Sequence, residues 1–167
     1  MNGEARTIVV SRSIAAPPEA VWAVVQDQAG FVADVDDVRA VEVLAADRIS
    51  SPDGTERVVS WRVWLKGFEL TWQVHQKLDG EARRLEFEQI EGIFSTYHGF
   101  WQVVSEGDKA VAQLHLCVGT GIPYLAEFLD PVMANAFEAL ARKMLQGIER
   151  RSLERMRTTS TAPHVIS

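Results

Sequence analysis

The sequence contains a single cysteine, Cys117, among 167 residues. One cysteine cannot form an intrachain disulfide, and it cannot supply the several thiolates of a cysteine metal site. The sequence therefore predicts a protein of a reducing compartment, the cytoplasm. Its 4 histidines lie on separate segments, so we expect no metal site either.

Positive charge and long apolar runs are also scarce. Lys and Arg number 17 against 23 Asp and Glu, which gives a formal net charge of −6, and a negative overall field repels nucleic-acid phosphate. Residues 1–6 lack the basic start and apolar run of a secretory signal, and no stretch approaches the roughly 20 apolar residues of a membrane span. We expect a soluble protein with no nucleic-acid partner and no transmembrane segment.

The sequence motifs that identify many enzymes are absent. There is no His-Glu-x-x-His, Cys-x-x-Cys or Gly-x-Ser-x-Gly pattern and no glycine-rich phosphate loop. The run Gly119-Thr120-Gly121 is too short for a dinucleotide-binding loop, and it favours the entry to a helix. No cofactor is expected.

The residues that are present predict an α+β fold with about seven strands. The β-branched segment Ala5–Ile14 predicts a strand, Pro18 to Asp27 a short helix, and Gly30 to Asp37 a second, weaker helical piece. Six further segments separated by turn residues predict an antiparallel meander, because parallel neighbours would need long crossovers. These segments are Val38–Leu44, Val58–Leu65, Phe68–Leu78, Arg84–Ile90, Phe94–Val104 and Val111–Val118.

A long amphipathic helix is predicted at the C-terminal end. It follows a short turn near Pro123–Leu129 and begins at Asp130-Pro131, a good pair for a helix start. Its apolar stripe needs a partner, and the apolar face of the sheet is the only surface large enough to cover it. We predict one ligand-binding domain over residues 1–157 and a disordered tail over 158–167.

Alternation within the strands indicates which side chains face the helix. A curved sheet wrapped round one helix tends to leave space for a small molecule, so we expect a cavity of molecular size there. The opposing interpretation, that the wide rings simply fill the core, stays open. The candidate ligand-binding side chains are Trp61, Phe68, Trp72, Gln76, Phe87, Trp101, Met133 and Phe137.

Three more polar side chains are candidates for chemistry. Gln89 and Tyr97 fall on the inward register, and His98 lies beside Gly99, where a glycine can bend a strand and redirect its neighbours. Each has an ordinary alternative as well. Gln89 and Tyr97 could satisfy backbone groups at a strand end, and His98 could be a surface histidine.

The sequence resembles a known family between about Ile8 and Arg151. The marks are the run from Ala16 to Trp22 (AlaProProGluAlaValTrp), Trp72 in a mid-sheet strand, and Glu91-Gly92-Ile93-Phe94 leading through Tyr97 to Trp101. On these marks the chain is similar to the polyketide cyclase/aromatase branch of the START and birch-pollen-allergen (SRPBCC) superfamily. The resemblance implies the helix-grip fold, in which a curved antiparallel sheet wraps round a long C-terminal helix.

The resemblance also implies a cofactor-independent cyclase, aromatase or dehydratase of natural-product (antibiotic) biosynthesis. The substrate implied is a poly-ketone delivered by an acyl carrier protein. Such enzymes use pocket arginine and tyrosine side chains, and those positions fall here at Gln76 and Val38. The remaining catalytic candidates are Tyr97 as proton donor, His98 as base and Gln89 as the residue that orients an enol oxygen.

Two other functions stay open from the sequence. Similar proteins include members that bind quinones or lipids without catalysis, so the chain could be a binding or transport protein for a hydrophobic metabolite. Alternatively, basic side chains on the last helix could contact a membrane or an acidic carrier protein, namely Arg142, Lys143, Arg150, Arg151, Arg155 and Arg157. The oligomeric state is left open, a homodimer included.

Overall fold

The computed structural model describes residues 5–51, 54–121 and 126–166, and it describes side chains for residues 5–44, 55–121 and 128–157. Within these ranges the elements follow the predicted order. They are β1 (Arg6–Ile14), α1 (Pro18–Gln26), a single 3-10 turn (Gln28–Gly30), α2 (Phe31–Asp34), β2 (Val38–Ser51), β3 (Gly54–Leu65), β4 (Phe68–Asp79), β5 (Arg84–Gly92), β6 (Thr96–Glu106), β7 (Lys109–Gly119) and α3 (Ala126–Ile166).

The strands form one 7-stranded sheet in the order β1-β7-β6-β5-β4-β3-β2. All neighbours are antiparallel. Each strand from β2 to β6 pairs with the next along the chain, and β7 also pairs with β1. The helix α3 packs across β1 and β7, with α1 and α2 beside it. The predicted meander and the helix-grip fold are therefore confirmed.

The inward face of the sheet follows the predicted alternation. Trp61 and Trp72 are buried, pair across β3 and β4, and stack with ring centroids 6.2 Å apart. Arg62, the next residue on β3, points to the other face and ion-pairs with Glu69. Strand parity thus places the aromatic side chains against α3, because successive residues of a strand face opposite sides.

A buried carboxylate fastens α2 to α3. The side chain of Asp34 is 1% exposed and forms ion pairs with Arg150 and Arg151, the Arg151 Nε lying 2.8 Å from Asp34 Oδ2. The two helices approach so closely that a Cβ at Gly147 would lie 2.6 Å from the Asp34 Cβ. Such a contact is too short for any side chain, so glycine is required at this position of α3.

The last helix begins earlier and ends later than predicted. It begins at Ala126, because Asp130 does not act as its N-cap. Instead, the buried Asp130 Oδ1 accepts hydrogen bonds from the Thr120 backbone N–H at 2.9 Å and from the Thr120 hydroxyl at 2.6 Å. Residues 123–125 of the expected turn lie outside the described residues.

At its other end α3 continues to Ile166. The helical backbone therefore covers residues 158–166 of the segment that was expected to be a disordered tail. Extending an existing helix costs far less than nucleating a new one, so a segment without its own periodicity can continue the helix that precedes it. The division into a domain over 1–157 and a separate tail stays a prediction.

Candidate functional site

A small cavity lies between the concave face of the sheet and α3. Its volume is about 30 Å³, which is room for one or two water molecules and far below the roughly 300–1,000 Å³ of small-molecule pockets. The expectation of an unfilled chamber of molecular size is therefore wrong for this conformation. The wall consists of Gln28, Trp61, Trp72, Val74, Gln76, Phe87, Tyr97, Trp101, Leu114, Leu116, Phe137, Leu140 and Met144.

Aromatic rings in mutual contact fill the space. The Trp72 ring lies 5.5 Å from Phe94, 5.3 Å from Tyr97 and 5.8 Å from Phe137, measured between centroids. Phe94 and Phe137 also contact each other at 5.7 Å. Tilted and edge-on ring pairs of this kind are favourable beyond the area they bury. A ligand larger than water can enter only if some of these rings move.

Two hydrogen-bond donors meet inside this ring cluster. The Trp72 indole nitrogen is buried and has no hydrogen-bond partner among the described residues. Tyr97 is half-buried as a residue, but its hydroxyl is buried. This burial raises the pKa of the phenol above its ordinary value, and the nearby Trp72 N–H lowers the pKa by a smaller amount. The phenol therefore keeps its proton over the whole neutral pH range, and both groups can donate to a ligand oxygen.

A polar chain occupies another part of the wall. The Nε of Arg57 donates to the Gln76 Oε1 at 2.6 Å, and its Nη2 donates to the backbone carbonyl of Gln26 at 2.7 Å. The Gln76 amide nitrogen in turn donates to the Gln28 Oε1 at 3.3 Å. Gln76 and Gln28 line the cavity, whereas Arg57 stands behind them. Burial lowers the pKa of the Arg57 guanidinium, and the nearby Asp27 counteracts this effect.

Six of the eight predicted ligand-binding residues line the cavity, and two do not. Phe68 begins β4 beside the Lys66-Gly67 turn and is 69% exposed. Met133 packs against the edge of the core, but the cavity lies farther along the same face of α3, at Phe137 and Leu140. The predicted ligand contacts of Phe68 and Met133 are corrected accordingly.

Of the three catalytic candidates, only Tyr97 lines the cavity. His98 is exposed on the opposite face, because Gly99 pairs with Phe87 and Leu116 without a register shift and the alternation of β6 continues through it. The predicted role of His98 as an interior base is therefore at odds with its position.

Gln89 has its amide engaged elsewhere. The Nε2 of Gln89 donates to the Phe94 carbonyl at 2.7 Å, and its Oε1 accepts from the Phe94 backbone N–H at 3.3 Å. A Cβ at Gly92 would lie 2.3 Å from the same Oε1, so the loop between β5 and β6 folds tightly over this amide. Gln89 holds Phe94 against the ring cluster and is not among the described residues that line the cavity, so its role in orienting an enol oxygen stays a prediction.

Sequence reasoning missed Arg57 and Gln28. Arg57 has the same strand parity as Val59 and Trp61, so the alternation of β3 could have placed it inward. Gln28 lies in the single 3-10 turn after α1, where no periodicity indicates which way a side chain points.

The outer face of the sheet carries a larger but open groove of about 460 Å³. His75, His98 and Phe100 are among its lining residues, together with charges of both signs. Among the residues described, no group of three or more His, Cys, Asp or Glu side chains is placed to hold a metal ion. Nor does any helix in the described ranges have the length and apolar character to cross a membrane.

Most of the basic residues considered as a docking surface are ion-paired within the chain. Arg142 pairs with Glu138 on the same helix, and Lys143 pairs with Asp37. Arg150 pairs with Asp34, and Arg151 pairs with both Asp34 and Asp27. These contacts neutralise the four charges locally, which weakens the case for an electrostatic contact with a membrane or an acidic partner.

The fold and the interior site are those of a helix-grip protein of the START-like class. Residues 14–157 match the family described as polyketide cyclase / dehydrase and lipid transport. Because the match spans most of the chain, the protein belongs to this family. A search of curated proteins finds no match.

Solved structures agree with this assignment. The protein TTHA0849 from Thermus thermophilus is 25% identical, with a TM-score of 0.80 over 90% of this chain and 99% of that one. The ZhuI aromatase/cyclase from Streptomyces sp. R1128 is 20% identical, with a TM-score of 0.79 over 91% of this chain and 96% of that one. A START superfamily protein from Mycobacterium smegmatis is 16% identical, with a TM-score of 0.69 over 86% and 97%. The two less similar structures support the fold alone.

Proposed function

We propose that this protein binds a carbonyl-bearing poly-ketone or aromatic intermediate between the sheet and α3 and directs its cyclisation and dehydration without a cofactor. The observation that carries the proposal is the chemistry of the cavity wall. Among the described residues, its lining includes no carboxylate and no cation, but Trp72, Tyr97 and Gln76 bring hydrogen-bond donors among apolar rings. Buried donors in apolar surroundings are best satisfied by an apolar ligand that carries acceptors only, which describes a ketone.

The reaction proposed is an aldol closure followed by loss of water. A methylene carbon between two carbonyls releases a proton to solvent and attacks a third carbonyl carbon, so that a carbon–carbon bond forms and the carbonyl oxygen becomes a hydroxyl. Tyr97 donates the proton to that oxygen and recovers one from solvent. Loss of the hydroxyl with a neighbouring hydrogen as water then gives the double bond. Holding a flexible chain in one reactive conformation supplies much of the rate.

Family membership supports this proposal and the setting that goes with it. The solved structures similar to this chain include an aromatase/cyclase by title. Our proposal includes a setting in the cytoplasm, in the biosynthesis of an aromatic natural product such as an antibiotic. The substrate would arrive on an acyl carrier protein.

A second candidate function is non-catalytic binding or transport of a quinone, lipid or other hydrophobic metabolite. No carboxylate or histidine stands among the lining residues that the structure describes, which favours this function, since a base would be needed to take the methylene proton. The two candidates differ in turnover alone, and both require a ligand in the same interior space.

Reconstitution with a minimal polyketide synthase and its carrier protein separates the two. With the protein present, we expect a larger share of one cyclised aromatic product, measured by liquid chromatography with mass detection. Tyr97→Phe should lower the rate of that product about 100-fold, because the proton donor is lost. His98→Ala is the matched comparison, a neighbour on β6 that faces the other side, and should change the rate by less than about twofold.

An unchanged product profile over several poly-ketone lengths would contradict the enzymatic proposal. If a hydrophobic compound then co-purified with the protein and was released unaltered, the binding function would be supported. A large loss in His98→Ala with none in Tyr97→Phe would place the chemistry on the outer face and overturn the interior site.

A further inference from the structure

We infer that Arg57 acts through Gln76, making the Gln76 amide the donor that receives a ligand carbonyl oxygen in the cavity. The inference rests on the proposed function for its ligand class, a carbonyl-bearing apolar molecule. It assigns a binding role to the Gln76 amide N–H and a positioning role to Arg57, which lies outside the cavity wall.

The register of the sheet brings the two side chains together. Arg57 on β3 is the direct cross-strand partner of Gln76 on β4, and both have the parity of the inward face. The Arg57 Nε lies 2.6 Å from the Gln76 Oε1. Since a guanidinium can only donate, this contact fixes which end of the amide is oxygen. The amide nitrogen therefore points away from Arg57.

Arg57 is itself held in a fixed place. Its Nη2 donates to the Gln26 carbonyl at the end of α1, at 2.7 Å, and Asp27 supplies a compensating negative charge. An arginine keeps its charge in a protein even when burial lowers its pKa. The cation is thus kept permanently against the oxygen of one buried amide.

The nitrogen of the Gln76 amide uses only part of its hydrogen-bonding capacity. The Gln76 Nε2 donates to the Gln28 Oε1 at 3.3 Å, a long contact, and the Gln28 Nε2 is tied to the Val25 carbonyl at 2.7 Å. An amide nitrogen carries two hydrogens, and among the described residues Gln28 is the one acceptor that this nitrogen contacts. Gln76 is 1% exposed and lines the cavity, so a ligand oxygen is the natural acceptor for the second hydrogen.

Charge at one end of an amide strengthens the hydrogen bond at the other. A hydrogen bond accepted by the oxygen polarises the group, and its N–H becomes a better donor, more so in a medium of low dielectric constant. Arg57 can in this way stabilise negative charge on a carbonyl oxygen while its own charge stays out of the apolar cavity. The arrangement suits an oxygen on which charge develops during aldol closure.

The test uses two probes of nearly equal shape, 9-fluorenone, which has one carbonyl, and fluorene, which has none. Binding is followed by quenching of the tryptophan fluorescence, since Trp61, Trp72 and Trp101 line the cavity. The infrared carbonyl stretch of bound fluorenone is recorded as well. The wild-type protein should bind fluorenone more tightly than fluorene, and the stretch should move to lower frequency.

Two variants carry the prediction. Gln76→Glu keeps an acceptor for Arg57 and removes the donor, and Arg57→Met removes the polarising charge. Each should weaken fluorenone binding about tenfold, leave fluorene binding within about twofold, and shift the carbonyl stretch back to higher frequency. Arg62→Met is the matched control, because Arg62 lies on the same strand and faces away from the cavity. It should change neither affinity nor frequency.

A purely structural role would lower the affinity for both probes alike, and this result would overturn the inference. So would an unchanged carbonyl stretch in both variants. Thermal unfolding of each variant shows whether it is folded at the assay temperature. If Arg57→Met is unfolded there, the binding and infrared measurements on Gln76→Glu still test the inference. The inference can fail while the proposed function holds. If the Arg57→Met variant cyclised poly-ketones as fast as the wild type, the proposed function would stand and the role of Arg57 would be overturned.

Discussion

Replacing Asp34 with alanine is expected to lower the free energy of unfolding by about 3 kcal/mol. The Asp34 carboxylate is 1% exposed and holds Arg150 and Arg151 of α3 against α2. Removing it leaves the half-buried guanidinium of Arg151, one nitrogen of which already lacks a partner among the described residues, without its principal counter-charge. Urea unfolding followed by circular dichroism measures the loss.

The matched control is Asp37→Ala. Asp37 pairs with Lys143 of the same helix at 3.0 Å, but both side chains are substantially exposed, at 33% and 55%. Exposed ion pairs contribute little, so this variant should lose no more than about 1 kcal/mol. Equal losses in the two variants would contradict the assignment of Asp34 as the buried fastening between the helices.

Phe137→Ala is expected to have the second large effect, a loss of about 4 kcal/mol in the free energy of unfolding. Phe137 is buried, lines the cavity and contacts the rings of Trp72, Phe94 and Tyr97. Its removal opens a space for about one aromatic ring in a well-packed interior. Fluorene should then bind more tightly than to the wild type, because no ring has to move to admit it.

Phe128→Ala provides the control on the same helix. The Phe128 side chain is 72% exposed, so its loss should alter the free energy of unfolding by no more than about 0.5 kcal/mol and leave fluorene binding unchanged. Phe137→Ala could lose stability without binding fluorene more tightly. The rings would then serve only as hydrophobic core, and the cavity would not be the ligand-binding site.

The fold was predictable because its signals are local. Turn residues such as Lys66-Gly67 separate short alternating segments, and antiparallel hairpins need nothing else to pair in order. The start of α3 was not predictable from the same signals. Asp130 and Pro131 favour a helix start, but the Asp130 carboxylate is used by Thr120 at the end of β7, a tertiary contact that no local pattern reveals.

The site was predictable only in its apolar part. Alternation places Trp72 and Tyr97 on the inward face, yet it cannot show whether their rings leave space or fill it, since this depends on how side chains of different strands interlock. The positions of Gln89 and His98 show the same limit. The Gln89 amide is hydrogen-bonded to the Phe94 backbone, and the alternation of β6 puts the His98 imidazole on the outer face.

The central claim is that the ring-filled interior opens to admit a carbonyl ligand and binds its oxygen. A crystal structure of the protein with 9-fluorenone tests this most directly. We expect the probe between the sheet and α3, the rings of Phe94 or Phe137 displaced, and the carbonyl oxygen within hydrogen-bond distance of the Gln76 Nε2, the Tyr97 hydroxyl or the Trp72 N–H. Fluorenone bound in the outer groove beside His98, with the interior rings unmoved, would contradict the claim.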